Sequence, residues 1–380
     1  MFKERTCVGL DVHARSVVAV AIDTVTGEVF RARLSPAEGA VREWVEALPG
    51  PAAVVYEAGP TGYGLARVLS GAGLRCEVVA PSKLHRPPGD RVKTDERDAQ
   101  QLAELLMMGQ ICPVRVPTPA QEAARDLVRA REDCRRDLAR TRHRLRSLLL
   151  RYGWVYPGGS LWTCRHDQWL RAIVLEEPAS RAALEEYYQA AVATLDRRDR
   201  LDRQIETMAA DRDTPERTAL VARLCCLRGV STLTAFALAV EIGEWDRFTG
   251  ASIGAFVGLT PSEHSSGQTR RLGSITRAGN THVRRLLVEA AWHHRRPYRP
   301  SAALRARWEK STPAAQRRGD LANRRLHHRW ARFDARSKKS TIANTAIARE
   351  LAGWCWSLAV MDTTGPELSS SGGAAPRDTT

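Results

Sequence analysis

Thr6-Cys7-Val8-Gly9-Leu10-Asp11 is an apolar run closed by a carboxylate, and Ala52-Ala53-Val54-Val55-Tyr56-Glu57 repeats the pattern. Short continuous apolar runs of this kind read as buried strands, so Asp11 and Glu57 stand where the chain leaves a sheet. A third stretch, Lys93-Thr94-Asp95-Glu96-Arg97-Asp98-Ala99-Gln100-Gln101-Leu102, reads as a helix start capped by Thr94. Asp95 and Asp98 are three apart and share a helix face, so both can meet the strand-end pair. Each of the four carboxylates taken singly suits a turn or a cap. All four, in this order and on these elements, read as a site for two Mg²⁺ ions. Such ions lie about 4 Å apart, need hard oxygen ligands and clamp both oxygens of a phosphodiester displacement.

Strands are expected over about 6–11, 16–23 and 28–34, with Thr24-Val25-Thr26-Gly27 as a turn. Helices over 36–47 and 62–70 flank the Glu57 strand, and a short strand covers 75–79. A meander followed by alternating helices and strands makes an α/β domain with a mixed sheet, residues 1–120. The polar, Pro-rich stretch 81–92 reads as a loop beside the site.

Residues 121–212 read as a helical, coiled-coil linker. Leu127, Cys134, Thr141 and Leu148 recur every seven residues, with Leu138, Leu145 and Tyr152 on the adjoining seam and Arg131 interrupting it. A Gly/Pro/aromatic break at 153–160 separates this helix from a second one over about 181–210. Two readings stand: a helical hairpin packed on itself, or a dimerisation element. Residues 213–362 read as a mainly α domain. It opens on Leu227-Arg228-Gly229-Val230-Ser231-Thr232, which resembles a helix-hairpin-helix whose Gly229 turn offers backbone N–H groups to phosphate. Residues 363–380 are Ser/Gly/Pro-rich and are expected to be disordered.

Across 380 residues the chain carries a net charge of +15, and 20 Lys and Arg against 4 Asp and Glu fall between Gln268 and Lys339. That segment interleaves Arg with Trp292, Tyr298, Trp308, Trp330 and Phe333, a composition that favours nucleic acid over a plain solvated face. No apolar run approaches the length of a membrane span, so a cytoplasmic protein is expected. The eight cysteines form no C-x-x-C pair and suit reduced thiols rather than disulfides or zinc.

The densest polar stretch is Gly258-Leu259-Thr260-Pro261-Ser262-Glu263-His264-Ser265-Ser266-Gly267-Gln268, followed by Arg270, Arg271 and Arg277. It suits a phosphate-touching loop. It also suits a serine nucleophile, with the arginines holding phosphate and His264 as a possible base.

Together these stretches resemble the DEDD-type insertion-sequence transposases, relatives of the Piv invertases and now understood as RNA-guided recombinases. The resemblance rests on Gly9-Leu10-Asp11-Val12-His13, Tyr56-Glu57-Ala58-Gly59-Pro60-Thr61-Gly62, Lys93 to Ala99, Gly258 to Pro261 with Ser265-Ser266-Gly267, and Ile275 to Asn280 with Val283-Arg284. It spans about Cys7 to Glu289. It implies a RuvC-like (RNase H-type) domain binding Mg²⁺ through Asp11, Glu57, Asp95 and Asp98, a coiled-coil linker, and a transposase domain with a nucleophilic serine. That serine stands directly before the Gly, which maps to Ser266, with Ser265 beside it. It further implies donor and target DNA, a structured noncoding guide RNA and a homo-oligomer, dimer or tetramer, as partners. Arg270, Arg271, Arg277, Arg284, Arg285 and Gly229 are the residues expected against nucleic acid.

Three rivals remain. An actin-like sugar kinase also starts with Gly9-Leu10-Asp11 on a first strand, but it needs an α/β second half, and this one is helical and basic. A junction-type structure-selective endonuclease needs the carboxylates but not Ser266. A non-catalytic DNA-binding protein needs only the basic segment.

Overall fold

A computed structural model describes residues 4–84, 94–263, 266, 269 and 271–361. The expected loop over 81–92 and the tail after 362 therefore fall largely outside the described residues. The chain divides into two compact units, residues 1–118 and 119–380.

The first unit is built on β1 (Thr6–Val12), β2 (Val17–Asp23), β3 (Val29–Leu34), β4 (Ala52–Glu57), β5 (Arg75–Val79) and β6 (Pro113–Val114). They form one sheet in the order β3-β2-β1-β4-β5-β6. β2 runs antiparallel to β1 and β3, while β1, β4 and β5 are parallel. This mixed sheet is consistent with the RNase H-like domain expected. The two-residue β6 was not legible as a strand in the sequence.

Side-chain alternation sorts the strands onto two faces. Val8, Leu10, Val54 and Tyr56 join one core with α1 (Glu38–Glu46) and α2 (Gly64–Gly71). Cys7, Ala53, Val55 and Val79 face the other way and pack with Leu102 and Leu106 of α3 (Asp95–Met107).

The second unit is helical: α4 (Pro119–Arg151), α5 (Cys164–Arg171), α6 (Pro178–Ala209), α7 (Pro215–Leu224), α8 (Thr232–Ile242), α9 (Ser252–Phe256), α10 (Thr281–Ala291), α11 (Ala302–Trp308), α12 (Pro313–Ala335) and α13 (Ser340–Ala359). A hairpin of β7 (Pro261–Glu263) and β8 (Leu272–Ile275) lies between α9 and α10. The expected linker helices α4 and α6 share this unit's core: Ala124, Val128, Ile205 and Ala209 pack with α7, α8, α10, α12 and α13 residues.

The heptad seam of α4 is covered by the chain itself. Leu145 and Leu148 are buried with α5 and α6 residues, including Leu170 and Leu184, and Cys134 Sγ lies 3.4 Å from the Thr194 carbonyl of α6. Arg131, which interrupts the seam, pairs with Asp202 of α6 at 2.7 Å. Only Tyr152, at the end of the pattern, is exposed.

Most aromatics of the basic segment pack in or against the core, whereas Trp292 stays 38% exposed. Trp330 is fully buried, Trp308 Nε1 donates to the Cys226 carbonyl at 3.0 Å, and the Tyr298 hydroxyl donates to Asp320 at 2.8 Å. Among the described residues no helix is long and apolar enough to cross a membrane. All eight cysteines are free thiols.

Candidate active site

Asp11 and Glu57 end adjacent parallel strands. Leu10 is paired with Tyr56 in the β1–β4 register, so the next residues, Asp11 and Glu57, stand at one level on the α3 face. Above them α3 begins. Thr94 caps it, its hydroxyl accepting from the Arg97 N–H at 3.3 Å, as expected of an N-cap threonine. Asp95, Ala99, Leu102 and Leu106 run along one stripe of α3. The apolar members lie over the sheet, and Asp95 extends the stripe toward the strand ends.

Two devices hold α3 in place. Gly9 sits under it, where an added Cβ would stand 2.0 Å from the Ala99 carbonyl oxygen and 2.6 Å from the Ala103 nitrogen. On the other side Arg31 of β3 pairs with Glu96 at 2.6 Å and reaches Gln100 at 3.3 Å.

His13 belongs to the first motif, but no role for it follows from the sequence. Its Nε2 lies 3.1 Å from Asp11 Oδ2 and 3.7 Å from Asp95 Oδ1. Burial pushes the Asp11 carboxyl up; His13 opposes that shift, while Asp95 and Asp98 add to it. A half-buried carboxylate crowded by two like charges is stabilised by a cation. Asp11, His13 and Asp95 can each turn one ligand atom into a group within 4.8 Å of one another.

In the second unit, Ser266 and Thr269 form an exposed β-bridge beyond the β7–β8 hairpin, exchanging N–H···O bonds of 3.2 and 3.1 Å. His264, Ser265 and Arg270 lie outside the described residues. The base of the hairpin is pinned by two glycines with positive φ. A Cβ on Gly258 would meet the Ala278 carbonyl at 2.3 Å, and one on Gly279 the Phe256 carbonyl at 1.9 Å.

Arg271 and Arg277 are exposed beside this hairpin. Arg284 and Arg285 are engaged within the fold. Arg284 donates to the carbonyls of Val257 and Ala278 at 3.1 and 2.8 Å, while Arg285 reaches buried Glu132 at 2.5 Å and Glu289 at 2.6 Å. Gly229, with φ +83°, forms the turn between α7 and α8, and a Cβ there would stand 2.5 Å from the Ala290 carbonyl. Its glycine is thus required by packing against α10, whatever it contacts outside.

Comparison with known proteins decides the family. A DEDD transposase profile of the IS110 type matches residues 8–153, and one described as "Transposase IS116/IS110/IS902 family" matches 221–309. A putative transposase of Sinorhizobium fredii, y4qE, is 38% identical over 358 residues, covering 93% of this chain and 88% of that protein. The chain belongs to the IS116/IS110/IS902 family of DEDD insertion-sequence transposases. The transposase for insertion sequence element IS1533 of Leptospira borgpetersenii is 28% identical over 350 residues, 89% of this chain and 99% of that protein. A probable family 20 transposase of Pseudomonas aeruginosa is 28% identical over 335 residues, 85% and 95% respectively.

Membership makes this an enzyme of transposition, acting on DNA, and a DEDD-type domain is suited to a divalent metal, typically Mg²⁺. The donor set fits that metal. It is mostly hard carboxylate oxygen, gathered where strand ends and a helix start converge.

Proposed function

We propose that this transposase cuts and rejoins DNA strands using Asp11, Glu57, Asp95 and Asp98 as metal ligands and Ser266 as a nucleophile. The observation that carries this reading is the convergence of Asp11 and Asp95 across His13, which brings the first and third carboxylates of the DEDD pattern to one place. The four carboxylates would hold two Mg²⁺ ions, which supply charge neutralisation at the phosphate and activation of the attacking oxygen.

The Ser266 Oγ forms a bond to phosphorus as the bond from phosphorus to a deoxyribose oxygen breaks. The serine proton ends on that sugar oxygen, so one phosphodiester replaces another. The reverse attack then rejoins a strand without external energy. Arg271 and Arg277, with Arg270, hold the phosphate. The Gly229 turn and the exposed basic residues of 268–339 bind nucleic acid. The substrates are donor and target DNA, chosen by a structured noncoding RNA from the same element, and the working form is a homo-oligomer.

The test is trapping on a nicked DNA end of the element, together with its flanking noncoding RNA. Mass spectrometry should find a DNA adduct on Ser266 in Mg²⁺ and none in EDTA. Recombination that proceeds with no adduct on Ser266 or its neighbour Ser265 would remove the serine from the mechanism.

A further inference from the structure

We infer that His13 is itself a metal ligand, binding through Nε2 beside Asp11 and Asp95, so that the site carries an imidazole nitrogen among its carboxylate oxygens. The inference rests on the carboxylate metal site proposed above and adds a residue to it that the DEDD pattern does not contain.

His13 opens the turn between β1 and β2. Val12 pairs with Val17, and the His13 N–H donates to the Ser16 carbonyl at 2.9 Å, fixing the backbone two residues beyond Asp11. From there Nε2 faces the acidic cluster, while half of the side chain stays exposed to solvent. Its Nε2 stands 3.1 Å from Asp11 Oδ2 and 3.7 Å from Asp95 Oδ1. Ligands about 2.1 Å from an octahedral ion lie about 3 Å from one another, so these separations suit three neighbours on one cation. Without metal, one N–H bond from Nε2 to Asp11 occupies the same ring atom. On metal binding the single imidazole proton sits on Nδ1 and the Nε2 lone pair takes the ion, so the ring stays neutral.

The chemical consequence is selectivity. Mg²⁺ favours an all-oxygen shell, whereas imidazole strengthens binding of first-row transition ions. A site with one histidine should therefore hold Mn²⁺ more tightly than its carboxylates alone would. His13 is half exposed and lies outside the hydrophobic clusters, so His13→Gln leaves the packing intact.

Mn²⁺ is the probe. The full-length protein, free of nucleic acid, is titrated with Mn²⁺ by electron paramagnetic resonance, and the bound ion is read by pulsed methods for directly coordinated nitrogen. Unaltered protein should show a ¹⁴N coupling that becomes ¹⁵N when histidine is ¹⁵N-labelled, a control that needs no variant to fold. His13→Gln should lose the coupling and bind Mn²⁺ about tenfold more weakly or worse. Binding that depends on Asp11 but shows no histidine coupling, or a coupling that survives in His13→Gln, overturns the inference and leaves the carboxylate site standing. Mn²⁺ binding equally to unaltered protein and to Asp11→Asn overturns the carboxylate site itself.

Discussion

The α-carbon of Gly9 lies so close beneath Ala99 that a side chain there would place Cβ 2.0 Å from the Ala99 carbonyl oxygen. Gly9 shares the strand face of Asp11, and Ala99 follows Asp98 by one residue. This packing therefore sets how near the carboxylates of α3 come to those of the sheet.

Gly9→Ala should accordingly push α3 outward. Overpacking of this kind costs roughly 1–3 kcal/mol, seen as a lower midpoint in denaturant, and strand cleavage should fall further than stability alone explains. DNA affinity carried by the second unit should be unchanged. Cleavage and stability equal to the unaltered protein would show that α3 sits without help from Gly9.

Glu241 is the centre of a buried polar network in the second unit. It accepts from Arg129 at 3.1 Å and from Asn280 at 2.7 Å, and lies 3.4 Å from His282 Nδ1. Burial pushes its carboxyl up, but the bonds from His282, Arg129 and Asn280 outweigh burial and hold it at about 2. A carboxylate with a depressed folded value contributes stability above its unfolded value, about 4.3, and that contribution is lost as pH falls toward 2. Glu241→Gln should cost about 3–5 kcal/mol at pH 7. The gap to the unaltered protein, followed by urea melts, should narrow below about pH 4.3. A gap that does not depend on pH would contradict the ionised network.

His294 is fully buried, and burial followed by the nearby Arg228 charge lowers its imidazole to about 3. The unfolded chain then binds a proton below about pH 6.5 that the folded one does not. Stability should fall as pH drops from about 6.5 toward 3, by on the order of a few kcal/mol. In a His294→Leu protein that part of the slope should vanish. An unchanged slope would place the acid sensitivity elsewhere.

Nucleic-acid binding through the basic segment predicts a steep salt response. If roughly 6–10 phosphates are neutralised, affinity falls on the order of 10³–10⁵-fold between about 50 and 200 mM salt. Truncation is the wrong probe, because Leu326, Trp330, Ile347 and Leu351 are core residues. Changing exposed Arg332, Arg336, Lys338 and Lys339 to Gln keeps that core, and the log–log slope should flatten by about 0.9 for each phosphate no longer neutralised. An unaltered slope would make this a solvated face.

The sheet and the start of α3 were legible because local rules fix them: apolar runs ending in Asp11 and Glu57, and a threonine cap at Thr94. The convergence of Asp11 with Asp95 was legible as well, since strand ends and a helix face leave few alternatives. His13 was not, because its place depends on the turn that closes on Ser16. Trp330 and Tyr298 looked like nucleic-acid contacts because composition cannot tell an Arg/Trp helix that binds phosphate from one that buries its aromatics. The internal partners of Arg284 and Arg285, Val257 and Glu132, were not legible either, because they are distant in sequence. The seam of α4 was visible, but the chain's own α6 covers it, and Arg131 is accommodated by Asp202.

The central claim is that the carboxylates at the strand ends and on α3 bind the metal that cuts DNA, and Asp11 tests it most directly. Asp11→Asn removes one charge while nearly preserving volume. Because burial and the neighbouring carboxylates already press against ionised Asp11, the variant should be at least as stable in EDTA as the unaltered protein. The measurement is strand cleavage on the element's own DNA end with the flanking noncoding RNA and Mg²⁺, after equal folding and DNA affinity have been verified. The account predicts that Asp11→Asn binds but does not cut, whereas full cleavage by this variant would contradict it.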